Sequence, residues 1–87
     1  RDMPPITIYT KMYCPYCEAA KDLLQQKNAA YEEIPVDGDA AGQRAMAQRA
    51  NGRSTVPQIF IGATHIGGCD DLYALERAGK LDPLLTA

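Results

Sequence analysis

The sequence carries no surplus of charge of one sign. Nine Lys and Arg stand against eleven Asp and Glu, a formal net charge of −2 with His65 neutral. It therefore lacks the strongly basic surface that nucleic-acid binding requires. It is also poor in cysteine: three in 87 residues are odd in number and too few for a disulfide-stapled scaffold. Long hydrophobic runs are missing. The longest strongly apolar stretch, Ile59-Phe60-Ile61, is far below the roughly 20 residues of a membrane-spanning helix. No basic, apolar and small-residue leader opens the chain. The expected compartment is the reducing cytosol, with neither nucleic acid nor membrane as partner. There, Cys14 and Cys17 point to catalysis or metal binding rather than to a structural bridge.

What is present fits an ordinary soluble globular protein: 46% of residues are apolar and 23% charged. A chain this short buries only about 60% of its unfolded surface, so its core must be economical. No repeat, low-complexity run or linker divides residues 1–87, which are read as one domain. Arg1-Asp2 ahead of Met3 is read as a cloning remnant, or residues 1–3 as an unstructured start.

Ile6-Thr7-Ile8-Tyr9-Thr10 alternates β-branched and aromatic residues and predicts a first strand. Pro15 suits the first turn of a helix, and Cys17, Ala20, Leu23 and Leu24 share one face to about Lys27. Asn28 tolerates the left-handed conformation that ends it. Tyr31 to Val36 reads as a second strand, with Pro35 unable to donate to a ladder. Asp39 caps a second helix from about Ala40 to Ala50, stopped by Asn51-Gly52. Pro57–Ile61 and Thr64–Ile66, separated by Gly62-Ala63, read as a hairpin. After Gly67-Gly68, Asp70 and Asp71 suit the positive start of a last helix. Its buried side is Leu72, Leu75 and Ala78, and Gly79 ends it. The order is strand, helix, strand, helix, strand, strand, helix, an α/β arrangement whose first strand–helix–strand unit implies a right-handed crossover and parallel pairing.

Cys14-Pro15-Tyr16-Cys17 thus follows a strand and opens a helix, the context of a thioredoxin-like redox motif. Residues three apart on a helix have Cβ atoms about 5–6 Å apart, and a disulfide needs about 3.5–4.5 Å. A slight tightening of the first turn closes the bridge. The two sulfurs differ. Cys14 lies at the helix start, where free N–H groups and the dipole stabilise an anion by about 0.3–1 kcal/mol, up to about 2 when partly buried. Lys11, three residues upstream, adds positive charge. Cys14 is accordingly the expected exposed nucleophile, and Cys17, one turn inside, the shielded resolving thiol. The competing reading is a zinc site, because His65 and Cys69 complete a set of four potential ligands. Pro15 at a redox turn and the lack of a second cysteine pair weigh against it, and no metal is expected.

Three motifs in order, Thr10-Lys11 before Cys14-Pro15-Tyr16-Cys17, then Thr55-Val56-Pro57, then Gly67-Gly68-Cys69-Asp70-Asp71, resemble a glutaredoxin of the small bacterial dithiol type. The resemblance covers nearly the whole chain. It implies the thioredoxin fold, with a four-stranded mixed sheet flanked by three helices. It also implies a glutathione-dependent thiol–disulfide oxidoreductase acting on protein–glutathione mixed disulfides and protein disulfides, with glutathione as co-substrate. Among protein partners it brings in ribonucleotide reductase by resemblance alone, and nothing calls for more than a monomer. Pro57 would be a cis proline, with Thr55 and the Val56 backbone facing the glutathione cysteine. Lys11 and Arg49, with Arg53 as competitor, would hold the glycine carboxylate. Gly68, Cys69 and Asp70 would receive the γ-glutamyl end, Asp71 assisting, and Tyr16 would pack against the ligand. His65 reads as an ordinary packing histidine. A thioredoxin is disfavoured by the absence of tryptophan and by Tyr16 between the cysteines. An iron–sulfur carrier is disfavoured by the stiff Pro15.

Overall fold

The alternation in Ile6–Thr10 has its expected consequence: β1 spans these five residues and sends Ile6 and Ile8 to one side, Tyr9 to the other. In the computed structural model, which describes residues 4–86, the chain continues as α1 (Pro15–Gln26), β2 (Glu32–Pro35), α2 (Ala40–Arg49), β3 (Gln58–Ile61), β4 (Thr64–Gly67), α3 (Cys69–Arg77) and α4 (Leu81–Leu85). The reading of residues 1–3 lies outside the described residues.

The sheet order is β2-β1-β3-β4. β1 runs parallel to β2, pairing Ile8 with Glu33, and antiparallel to β3, pairing Ile8 with Ile59. β3 and β4 form the antiparallel hairpin. The sheet is therefore mixed and four-stranded, as the resemblance implies. Pro35 is tolerated because β2 is an edge strand. Ile6, Ile8, Ile59 and Ile61 pack with Ala20, Leu23 and Leu24 of α1 and Leu72 of α3. On the opposite face Tyr9 and Phe60 meet Met46, Val36 and Ala50.

Local signals hold where they are strong. The buried stripe of α1 is Cys17, Ala20, Leu23 and Leu24, and Asn28 takes φ 55° just beyond it. Asp39 caps α2 by accepting from Gly42 N–H at 2.9 Å. Two expectations need correction. Ala78, placed on the buried side of the last helix, is exposed, and Leu75 is half-buried, because α3 stops at Arg77 and Gly79 turns the chain at φ 71°. A fourth helix, beyond the three expected, follows. In α4 Pro83 occupies the first turn, where its missing N–H is harmless, and Leu81 and Leu85 are both buried in the main core. Full burial of each contributes about 1.5–3 kcal/mol. Among the described residues no helix is long and apolar enough to cross a membrane.

This architecture brings together three loop ends: the β1–α1 turn, the entry to β3 and the start of α3. Tyr73 on α3 ties two of the helices, its hydroxyl donating to the Ala19 carbonyl at 2.9 Å.

Candidate active site

Cys14 is the N-cap of α1. Its backbone is extended (φ −109°, ψ 100°), Pro15 begins the helix, and its sulfur accepts the Cys17 N–H at 3.2 Å. The first-turn donor of the helix is thus aimed at Sγ, the position where an anion gains most from the helix terminus. Cys17 has no exposed surface, Cys14 is half-buried, and both are free thiols. Burial above all, reinforced by the contact with Cys14, pushes the Cys17 thiol up to about 12.

The loop before Cys14 is held from outside. Met12 N–H donates to both carboxylate oxygens of Asp37 at 3.0 and 3.1 Å, and Tyr13, 96% exposed, takes a left-handed backbone (φ 55°). Neither Asp37 nor Tyr13 stands out in the sequence, since a carboxylate in a loop signals nothing until its partner is known.

This asymmetry has a direct chemical test. A thiol pushed up to about 12 is almost wholly protonated at pH 7. Iodoacetamide is expected to alkylate Cys14 and spare Cys17. Cys69, raised by burial and by the charges of Asp70 and Cys14, is spared as well. Both upward shifts favour the protonated form, so labelling of the buried pair rises only under strongly alkaline conditions. Mass spectrometry showing Cys17 modified as fast as Cys14 at pH 7 would contradict the geometry.

Beside the thiols runs a cleft between the β3 entry and the α3 start. Thr55, Val56 and Pro57 form one wall and Gly68, Cys69 and Asp70 the other, with Tyr16 and Arg53 completing it. The Val56–Pro57 bond is cis, as the resemblance implies. Behind this wall lies Gln58, a fully buried amide that the sequence reading passes over. Its Nε2 donates to the Thr55 carbonyl at 3.0 Å and to Thr55 Oγ1 at 3.3 Å, and its Oε1 accepts from His65 Nε2 at 2.7 Å. The one polar residue in an otherwise apolar Gln58–Ile61 strand was the available signal. His65 also stacks on Phe60, centroids 5.0 Å apart, in keeping with a packing role. Among the described residues no group of three or more His, Cys, Asp or Glu is arranged to hold a metal ion.

On the opposite wall, Asp71 closes the start of α3. Its Oδ2 accepts Gly68 N–H at 2.9 Å and Arg53 Nη1–H at 3.0 Å. The Gly68 bond first, and the guanidinium second, hold its carboxyl below the usual carboxylate range. Asp71 is therefore a cap and an anchor for Arg53, whereas Asp70 is exposed at the cleft and forms no ion pair among the described residues.

Two expected contributors are placed elsewhere. Arg49 donates to Tyr9 Oη at 3.3 Å, with its guanidinium carbon 4.1 Å above the Phe60 ring. It belongs to the α2 face of the sheet, and Arg53 takes the cleft position. The reason is backbone: Ala50 is buried, and Asn51 (φ 58°) and Gly52 (φ 89°) turn the chain back so that Arg53 leads into the Thr55 segment. Lys11 borders a separate depression with Thr10, Lys21, Glu33 and Asp37. Tyr16, 65% exposed, stands at the cleft as expected.

Comparison with known proteins bears directly on this arrangement. A family model described as Glutaredoxin matches residues 6–66. A protein named Glutaredoxin from Pseudomonas aeruginosa is 59% identical over 85 residues, covering 98% of this chain and all of the relative. Glutaredoxin 3 of Escherichia coli is 59% identical over 83 residues, 95% of this chain and 99% of the relative. Among solved structures, the buckwheat glutaredoxin–glutathione complex superposes with a TM-score of 0.85 at 43% identity, covering 95% of this chain and 77% of that one. The solution structure of glutaredoxin from Brucella melitensis gives a TM-score of 0.85 at 52% identity, covering 98% and 91%.

Proposed function

The chain belongs to the glutaredoxin family and is a thiol–disulfide oxidoreductase; from that premise we propose that glutathione is its electron donor and that Cys14 and Cys17 divide the work. The observation that carries this reading is the Cys14 sulfur, poised on the first-turn N–H of α1 beside a cleft of mixed charge, with a high-pKa thiol directly behind it.

In the one-thiol route, Cys14 thiolate attacks the glutathione sulfur of a protein–glutathione mixed disulfide. The protein thiol leaves, glutathione stays on Cys14, and a second glutathione displaces it as glutathione disulfide. In the two-thiol route Cys14 attacks a protein disulfide, Cys17 displaces the reduced substrate, and two glutathiones reduce the resulting Cys14–Cys17 bridge, regenerating the dithiol and leaving as glutathione disulfide.

Glutathione has two carboxylates and one ammonium, and the cleft offers partners for each. Thr55 and the Val56 backbone, ahead of the cis Pro57, face the glutathione cysteine. Arg53, held by Asp71, takes the glycine carboxylate. The first-turn N–H groups of α3, at Cys69 and Asp70, take the γ-glutamyl carboxylate, and the Asp70 side chain pairs with the ammonium. Tyr16 covers the ligand. The buckwheat glutaredoxin, solved as a glutathione complex, supports the reading.

The deciding experiment couples turnover of a small glutathione mixed disulfide to glutathione reductase. Robust turnover is expected, with little activity when a flavoprotein thioredoxin reductase is the only source of electrons. The reverse preference would overturn the assignment. Within the same assay Arg53→Ala is expected to raise the KM for glutathione about fivefold, the scale of one partly exposed ion pair. Arg49→Ala leaves that KM unchanged.

A further inference from the structure

The burial that shields Cys17 also sets it a chemical problem. In the two-thiol route, on which this inference rests, Cys17 must give up a proton before it can resolve the mixed disulfide at Cys14. Its surroundings oppose the charge that this creates.

One cation is built into those surroundings. Lys21 stands a single turn beyond Cys17 on α1, a spacing that brings side chains to about 5–6 Å at Cβ. Its side chain is only 15% exposed, and the ammonium lies 2.9 Å from Glu18 and 3.1 Å from Glu33. Glu33 is itself fixed by the hydroxyl of Thr10, which donates to Oε2 at 2.7 Å from the buried end of β1. A lysine normally wanders on a flexible stem. This one is tethered from two sides.

The other charged groups around this depression face different tasks. Glu18 is largely exposed, Asp37 is spent on Met12 N–H, and Lys11 lies on the loop before Cys14. Cys14 repels charge on Cys17 only while it is itself a thiolate, and in the mixed disulfide it is neutral.

We infer that Lys21 is a positioning residue for the resolving step, its tethered ammonium favouring the Cys17 thiolate as that sulfur displaces the substrate. In this step Cys17 releases its proton, and its sulfur bonds to Cys14 Sγ as the bond between Cys14 and the substrate sulfur breaks. The substrate leaves as a thiolate and takes up a proton. Two electrons pass to the substrate, and the Cys14–Cys17 bridge remains. Burial pushes the Cys17 thiol up most; a backbone hydrogen bond at Lys11 opposes it, and the charge of Lys21 adds a smaller push in the same required direction. The one-thiol route never ionises Cys17 and is indifferent to Lys21.

The test uses Lys21→Met, which keeps an apolar stem, and Lys21→Arg, which keeps the charge. Reduced protein is mixed with glutathione disulfide and quenched in acid at intervals. Mass spectrometry then follows the Cys14–glutathione adduct as it converts to the Cys14–Cys17 bridge. Lys21→Met is expected to close about threefold more slowly at pH 7, fewer thiolates being partly offset by the greater nucleophilicity of each, with Lys21→Arg restoring most of the rate. One-thiol turnover stays at the wild-type level in both variants and reports that they are folded. Closure at the wild-type rate in Lys21→Met, or equal loss of both routes, overturns the inference. A wild-type protein that never forms the bridge would instead overturn the two-thiol route itself.

Discussion

Cys14→Ser is expected to abolish both routes, lowering turnover by at least about three orders of magnitude, the scale on which loss of a nucleophile acts. The fold should survive, because serine is a favoured N-cap and its oxygen can accept the Cys17 N–H that the sulfur now accepts. Unchanged melting with lost turnover would mark the defect as chemical. Cys17→Ser is expected to behave differently: it retains turnover of small glutathione mixed disulfides and loses reduction of protein disulfides, since only the second route needs the resolving thiol. Cys17 is fully buried, so a hydroxyl there costs about 1–3 kcal/mol if it finds no partner. Assays therefore belong well below the melting temperature, with Cys17→Ala as the apolar control. If both variants were equally inactive toward the small mixed disulfide, the division of labour between the sulfurs would be wrong.

The second large effect is expected at Gly67, which joins the backbone of β4 to the cleft. Its φ is 113°, and a Cβ built there runs into the Asp71 carboxylate and lies 2.8 Å from Arg53 Nη1. Gly67→Ala would pay twice. Forcing a side chain into a positive-φ conformation costs roughly 1–2 kcal/mol, and displacing Asp71 from Gly68 N–H removes a cap worth about 1 kcal/mol. A loss of about 2–3 kcal/mol lowers the melting temperature of a domain this small by more than about 10 °C. Because Arg53 is anchored by Asp71, the KM for glutathione should rise in the same variant. Gly62→Ala provides the comparison. There φ is 60° but nothing lies within 4 Å of the added Cβ, so only the backbone penalty applies and the KM stays constant. A Gly67→Ala protein that melts early yet binds glutathione normally would disconnect the α3 cap from the site.

Elements whose evidence is carried by neighbouring residues were legible without coordinates. Period-two alternation located β1, helical spacing picked out Cys17, Ala20, Leu23 and Leu24, and Asn28 and Asp39 marked helix ends. The cysteine pair belongs to the same class, since capping and three-residue spacing are properties of a single turn. Helix α4 escaped because five residues with an internal proline show no periodicity. Its existence depends on a core that Leu81 and Leu85 can reach.

The sequence by itself therefore determined the order of the first seven elements, the redox pair and which of its sulfurs is the more exposed, because backbone hydrogen bonding and apolar spacing act within a few residues. Tertiary structure alone decided which side chains meet. Arg53 joins Asp71 across 18 positions, Asp37 holds Met12 across 25, and Arg49 reaches Tyr9 across 40. Each such pairing is set by how the sheet and helices pack, which places Arg49 against Tyr9 and Phe60 and Arg53 at the cleft.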